Sequence, residues 1–340
     1  MSANLETSPL DGFALIAVRG PDARKFLHGQ LSQEVLGLSP DRVALAGFHN
    51  PQGRALAIMR LVPLADDALL LALPAEIAGT VTVRLRRFVL RARLAIEDVS
   101  AQWQRVGLSG PAAAGALAAA GLAVDAPVVG ALARAPGRLA WRHALAPERF
   151  IVLAEAAVGL PAGWPAPQAE AARDWQAADV AAGLPQVHAA TSEAFVAQML
   201  NLDALEGVSF TKGCYTGQEV IARAHYRGRV KRRLQRFRSV APPPSPLRPG
   251  DSLSLADGRG ARVVEVAPLA DGRVEFLAVT AIAGAGAGAD DDAPAPTAPS
   301  GAASPAVASA GVAASTAADT GNPTITIAVD ALPLPYPLPA

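Results

Sequence analysis

The sequence predicts an α+β protein with a small all-β domain near its C-terminus. Before Gly228, strand-like and helix-like stretches follow one another without the regular alternation of a doubly wound sheet. From Leu234 to Ala281 the chain breaks into short apolar runs separated by turns such as Arg248-Pro-Gly-Asp251 and Asp257-Gly-Arg-Gly260. A length of 340 residues is too much for one small core and suggests two or three domains.

In order along the chain, Phe13 to Val18 is an apolar run suited to a buried strand. Gly20-Pro21-Asp22 opens a helix, proline being tolerated in a first turn, and Phe26, Leu27 and Leu31 give it a packing face. Val43–Phe48 and Arg54–Val62 read as strands joined by the turn His49-Asn50-Pro51-Gln52-Gly53. Asp67–Leu73 is a third strand. Ile77, Val81 and Leu85 mark a helix that ends in an arginine-rich segment, Arg84, Arg86, Arg87, Arg91 and Arg93. Further strands are placed at Leu94–Val99, Arg105–Leu108, Arg138–His143 and Arg149–Leu153, with an alanine-rich helix near 111–120. Helices are predicted over Asp174–Ala182, which carries Trp175, and over Thr191–Leu205, with Phe195, Met199 and Leu200 inward. Residues 282–323 are low-complexity alanine, glycine, proline and serine. They hold too few large apolar side chains to offset their ordering entropy and read as a disordered insertion. Thr324–Val329 is then a strand returning to the β domain.

Net charge is zero, so nothing global argues for nucleic acid or membrane. One local exception is Arg223 to Arg238, with eight Lys or Arg and no acid. It reads either as an RNA-binding patch or as the solvated outer face of an element. No apolar run approaches the roughly 18 residues of a membrane span. The first residues lack the pattern of a secretory signal. A single cysteine fits a reducing cytoplasm.

That cysteine, Cys214, lies in Phe210-Thr-Lys-Gly-Cys-Tyr-Thr-Gly-Gln-Glu-Val-Ile-Ala-Arg223. Alone, it can form no internal disulfide, leaving a packing role or a reactive thiol. Thr216-Gly217-Gln218-Glu219 fits a capping box, and Val220, Ile221 and Ala224 follow at helical spacing. A helix starting there would set its positive end beside Cys214, and Lys212 would add a charge; both favour thiolate. Under the plainer reading, Glu219 is only a cap and Gly213 and Gly217 only turn residues.

Lys212-Gly-Cys-Tyr-Thr-Gly-Gln-Glu219, continuing to Ala222-Arg223, resembles the signature of the YgfZ family of folate-binding proteins, similar in fold to the aminomethyltransferase of glycine cleavage. Gly20-Pro-Asp-Ala23, Phe26-Leu-His-Gly-Gln-Leu31, Ala182-Gly-Leu-Pro185, Gln198-Met-Leu-Asn-Leu202 and Leu334-Pro-Tyr336 extend the resemblance over nearly the whole chain, apart from 282–323. It implies two interleaved α+β lobes around a central folate site over residues 1–233, then a β-barrel from 234–281 and 324–337. It also implies tetrahydrofolate or a derivative as cofactor, no stably bound metal, and assembly or repair of iron–sulfur clusters, with effects on tRNA thiomethylation. Client iron–sulfur enzymes or cluster-assembly proteins would be the partners.

By local match, the family's folate-contacting aromatics fall on Phe13, where a tryptophan is expected, and on Trp175. Cys214 and Lys212 would be the reactive groups, supported by Gly213, Tyr215, Gly217, Gln218, Glu219 and Arg223. Two other readings stand beside this one. A tetrahydrofolate-dependent aminomethyltransferase would need an acid shortly after the Asn50 turn, and Asn50 to Ile58 has none. A non-catalytic RNA-binding or scaffold protein would use Arg223 to Arg238.

Overall fold

The computed structural model describes residues 5–228, 230–282 and 325–339. The predicted insertion at 282–323 lies, but for Ile282, outside the described residues.

Three antiparallel-rich sheets carry the fold. The first is ordered β3-β4-β5-β2-β6, from β2 (Phe13–Arg19), β3 (Ala44–His49), β4 (Ala55–Ala65), β5 (Ala68–Pro74) and β6 (Ala95–Asp98). The second is ordered β1-β7-β10-β9-β8, from β1 (Glu6–Pro9), β7 (Trp103–Ser109), β8 (Leu132–Ala135), β9 (Arg138–Leu145) and β10 (Glu148–Glu155). Because side chains alternate along a strand, each sheet has two apolar faces to cover. Leu15 and Ala17 of β2 point to a cluster shared with Trp141 of β9 and Ile151 and Leu153 of β10. Their neighbours Ala14, Ile16 and Val18 point the other way, onto α1 (Ala23–Gln30) and α2 (Ala75–Arg86). Phe150 and Val152 likewise turn away from the shared cluster, onto α3 (Ala113–Ala119). The two sheets therefore pack face to face, with helices outside. β1 precedes the first sheet in sequence yet pairs with β7 of the second, Glu6 opposite Ser109, so the lobes are interleaved.

The third sheet, ordered β15-β12-β13-β14-β11-β16, curls into a half-barrel around Phe237, Val263 and Phe276. Its strands are β11 (Arg232–Ser239), β12 (Ser252–Leu255), β13 (Gly260–Pro268), β14 (Val274–Ala281), β15 (Ile325–Ile327) and β16 (Val329–Leu332). β15 pairs in parallel with β12, and β16 runs antiparallel to β11. Val264, Ala267 and Leu277 of this sheet pack into the cluster that holds α1 and α2, fixing the half-barrel to the first lobe. The seam also carries His188, whose Nδ1 lies 2.8 Å from Glu76 of α2 and whose Nε2 lies 2.6 Å from Glu265 of β13. Burial opposes charge on His188, but the bonds and charges of Glu265 and Glu76 outweigh it and lift the imidazole pKa to about 9.

The predicted α+β class stands, with local corrections. Thr191–Leu205 is not one helix: short 3-10 turns at Ala189–Thr191 and Ala197–Leu200 flank an extended stretch. Glu193 and Asn201 have positive φ, and the Phe195 carbonyl accepts from the Ala55 amide, so pairing with the first lobe overrides the helical spacing. Phe195 and Leu200 are nevertheless buried. β1 and β8 are additional strands, short and at sheet edges, with too little alternation to announce themselves.

Candidate functional site: an exposed thiol loop and a buried arginine cavity

α5 (Gln218–Tyr226) is capped by Gly217 rather than by Thr216, and no side chain caps it. The predicted capping box is absent because Gly217, which has no side chain, stands at the N-cap and leaves Thr216 outside the helix. Gly217 takes φ +84°, and a β-carbon there would lie 2.5 Å from the Asn50 carbonyl oxygen. The predicted turn at 49–53 thus packs directly on the start of the helix, with Gly53 against Val220. Asn50 Nδ2 donates to Glu193 (2.8 Å), which also accepts from Arg84 (2.6 Å).

Within the loop ahead of α5, Cys214 is exposed while Lys212 and Tyr215 are buried. Lys212 Nζ donates to the carbonyls of Leu31 (2.6 Å) and His28, at the C-terminal end of α1. Helix ends leave such carbonyls unpaired, so an ammonium there satisfies them and complements the dipole. The same nitrogen stands 4.8 Å from the Tyr215 ring centroid. Burial drags the Lys212 pKa down to about 8 and pushes the Tyr215 hydroxyl up to about 12. Lys212 therefore anchors the loop on α1, with its charge directed at backbone carbonyls. His28, a residue sequence reasoning passed over, comes within 3.6 Å of where a β-carbon of Gly213 would sit. Glu219 and Arg223 are exposed, in the first and last turns of α5, and Gln218 is half-buried at its start.

The other resembling segments converge behind this loop. Gln198 Nε2 donates to the Ile221 carbonyl of α5 (2.7 Å), and Arg233 grips Asp203 through two 2.9 Å bonds. Asn201 Nδ2 donates to Leu234 (3.0 Å), and Tyr336 Oη donates to the Gly183 carbonyl (2.7 Å). Gly183, at φ +67°, ends α4 (Ala169–Ala181), the helix that carries Trp175.

Trp175 and Phe13 belong to the cluster between the two sheets. Trp175 lies against Gly107, where a β-carbon would come within 2.3 Å of the indole. His143 stacks on it at 5.2 Å, and the Arg149 guanidinium stands 4.7 Å from its ring. Asp179, one turn further along α4, takes His143 Nε2 at 2.8 Å and Arg149 at 2.7 Å. Burial alone would raise the Asp179 pKa; His143, Arg149 and Arg60 reverse it and hold it near 2. Desolvation keeps His143 neutral, with a pKa of about 4.

Next to this group a cavity of about 10 Å³ is lined by Phe13, Arg60, Arg105 and Trp141 among others; Trp175 does not line it. Among the described residues, Trp175 Nε1, Arg149 Nε and Nη2, and Arg105 Nε are buried without hydrogen-bond partners. None of these arginines was singled out in the sequence. Arg60 was detectable as a cation inside the apolar run Ala55–Val62, a placement proteins rarely allow without purpose.

Two face-to-face sheets, interleaved through β1, and a curled C-terminal sheet define an aminomethyltransferase-like fold. The glycine cleavage system aminomethyltransferase T of Bartonella henselae superimposes with a TM-score of 0.59 at 17% identity, over 82% of this chain and 79% of that one. That likeness concerns the fold alone. No family model matches the chain. The tRNA-modifying protein YgfZ of Edwardsiella ictaluri (strain 93-146) is 33% identical over 279 residues, covering 79% of this chain and 82% of the relative. That of Serratia proteamaculans (strain 568) is 30% identical over 278 residues, covering 77% and 80%. The chain belongs to the YgfZ family.

Proposed function

We propose that this protein is a cytoplasmic, folate-binding factor for assembly or repair of iron–sulfur clusters in particular enzymes, acting through Cys214 and thereby affecting tRNA thiomethylation. The setting of Cys214 carries it. The chain's one thiol is held out to solvent by a loop whose neighbours, Lys212 and Tyr215, are buried anchors. Such a thiol reaches a partner while its base stays fixed, and as thiolate it is both nucleophile and metal ligand. Clusters are held by several thiolates, so the remaining ligands belong to the client enzyme or assembly protein, and the cluster is cargo.

Tetrahydrofolate or a derivative suits the space between the lobes, where Arg105 lines the cavity and Trp175 and Arg149 stand beside it, by its donor set. Trp175, Arg105 and Arg149 keep buried N–H groups without partners, and a folate brings carboxylates and ring acceptors to satisfy them. Phe13 and Trp175 supply aromatic faces for the pterin. The cavity at Phe13 has room for about one water, so a pterin entering there displaces side chains. No carboxylate lines it, and Asp179 is taken by His143 and Arg149, which favours this reading over aminomethyl transfer.

The test uses cells whose only copy is Cys214→Ala, at wild-type abundance. Loss of iron–sulfur enzyme activity and of tRNA thiomethylation is the expected outcome; full activity would remove Cys214 from the chemistry. Separately, Trp175→Ala should weaken tetrahydrofolate binding about tenfold in a titration, while melting remains cooperative. Unchanged affinity would remove Trp175 from the site.

A further inference from the structure

The basic run from Arg223 to Arg238 divides into two halves with different partners. In its later half Arg233 is bound to Asp203, and Arg236 and Arg238 share Glu275. In its earlier half Arg223, Arg227 and Lys231 are exposed, and no hydrogen bond or ion pair engages their side chains among the described residues. Neutralised cations belong to the scaffold; unengaged ones remain available to an anion.

Beside the unengaged half lies a feature that sequence spacing hides. Phe210, anchored against the core, stacks on His225 with centroids 3.7 Å apart and planes 12° from parallel. Tyr226 meets both rings edge-on, at 6.2 Å from Phe210 and 4.7 Å from His225, and is 65% exposed. Arg223 and Tyr226 share the last turn of α5, three residues apart, and Arg227 caps that turn with its amide on the Arg223 carbonyl. A large aromatic left in water beside guanidinium groups is what a splayed base and its phosphates require.

The geometry points to a docking face for a short unpaired RNA segment, with a base stacked on the Tyr226–His225–Phe210 group and phosphates met by Arg223, Arg227 and Lys231. The footprint spans only a few nucleotides, which suits a loop or an end with unstacked bases rather than a long strand or a duplex. This face is independent of the lobe cavity, and cluster repair could proceed without it.

Fluorescence anisotropy of the full chain with a labelled RNA of about ten unpaired nucleotides tests it. Tyr226→Ala should weaken binding about tenfold, while Tyr226→Phe retains it. Arg227→Glu should weaken binding and reduce the slope of log affinity against log salt by about one. Arg91→Glu, in the separate arginine-rich segment, should change nothing. Equal melting temperatures would show that the exposed substitutions leave folding intact. The inference is overturned if the wild type does not bind, if Tyr226→Ala binds as well as wild type, or if an RNA duplex or a DNA strand of the same sequence binds equally. Equal competition by polyglutamate would mark the face as a site for acidic proteins and overturn it too.

Discussion

The thiol loop and the space between the lobes both bury cations, and they hold them in opposite ways. Lys212 is fully engaged: its ammonium meets two carbonyls and a ring, and the reward is a rigid base for Cys214. Arg149 is half engaged: it bonds Asp179 and the Trp175 carbonyl, while Nε and Nη2 have no partner among the described residues. A buried donor left unpaired costs about 1–3 kcal/mol. The first arrangement belongs to a scaffold, and the second is suited to something that arrives later.

That contrast can be pressed hardest at the glycines of the loop. Gly217→Ala should destabilise the protein by about 3 kcal/mol in urea unfolding, since it combines a left-handed backbone with a backbone clash at Asn50. Gly213→Ala, whose β-carbon would meet only His28 at 3.6 Å, should change stability by less than about 0.5 kcal/mol. Equal costs would mean that the loop is not seated on the 49–53 turn.

Lys212→Met should cost about 2 kcal/mol, because it strips the end of α1 of its donor. It also carries a pH signature. The folded Lys212 pKa, about 8, lies below its ordinary 10.5, so the unfolded chain holds the extra proton between those values. Wild-type stability therefore gains from this group as pH rises through that window, and the variant should lose that gain.

His188, in the seam, has the reverse sign from Lys212. Its folded pKa of about 9 lies above the ordinary 6.5. Its contribution is complete below about pH 6.5 and is lost as pH climbs through 9, a fall of about 1–2 kcal/mol after allowing for its partial exposure. Unfolding midpoints across this range should flatten in His188→Gln; an unchanged slope would exclude His188 as its source.

Much of the scaffold was legible because single-element patterns dictate it. The apolar run Ala55–Val62 with the His49–Gly53 turn before it gave a hairpin, and Ile77, Val81 and Leu85 gave α2. Thr191–Leu205 misled because its apolar spacing suits a helix while its backbone is claimed by Ala55 across the fold. The site divides the same way. Cys214 and Trp175 stand in recognisable strings, so they were found. Arg60, Arg105 and Arg149 become a group only when β7 and β10 pair in one sheet and β4 of the other sheet is brought against them, and no window of sequence contains that. His28 and the Phe210–His225–Tyr226 stack were missed for the same reason.

The bond from Tyr336 to Gly183 joins residues 153 positions apart. A ribosome adding about 5–20 residues per second leaves the turn after α4 without that clamp for on the order of ten seconds. Throughout that interval the helix bearing Trp175 emerges and docks on the lobes while its closing latch has yet to be synthesised. A chain stalled before its final segment would therefore carry the helix bearing Trp175 without this bond at its end.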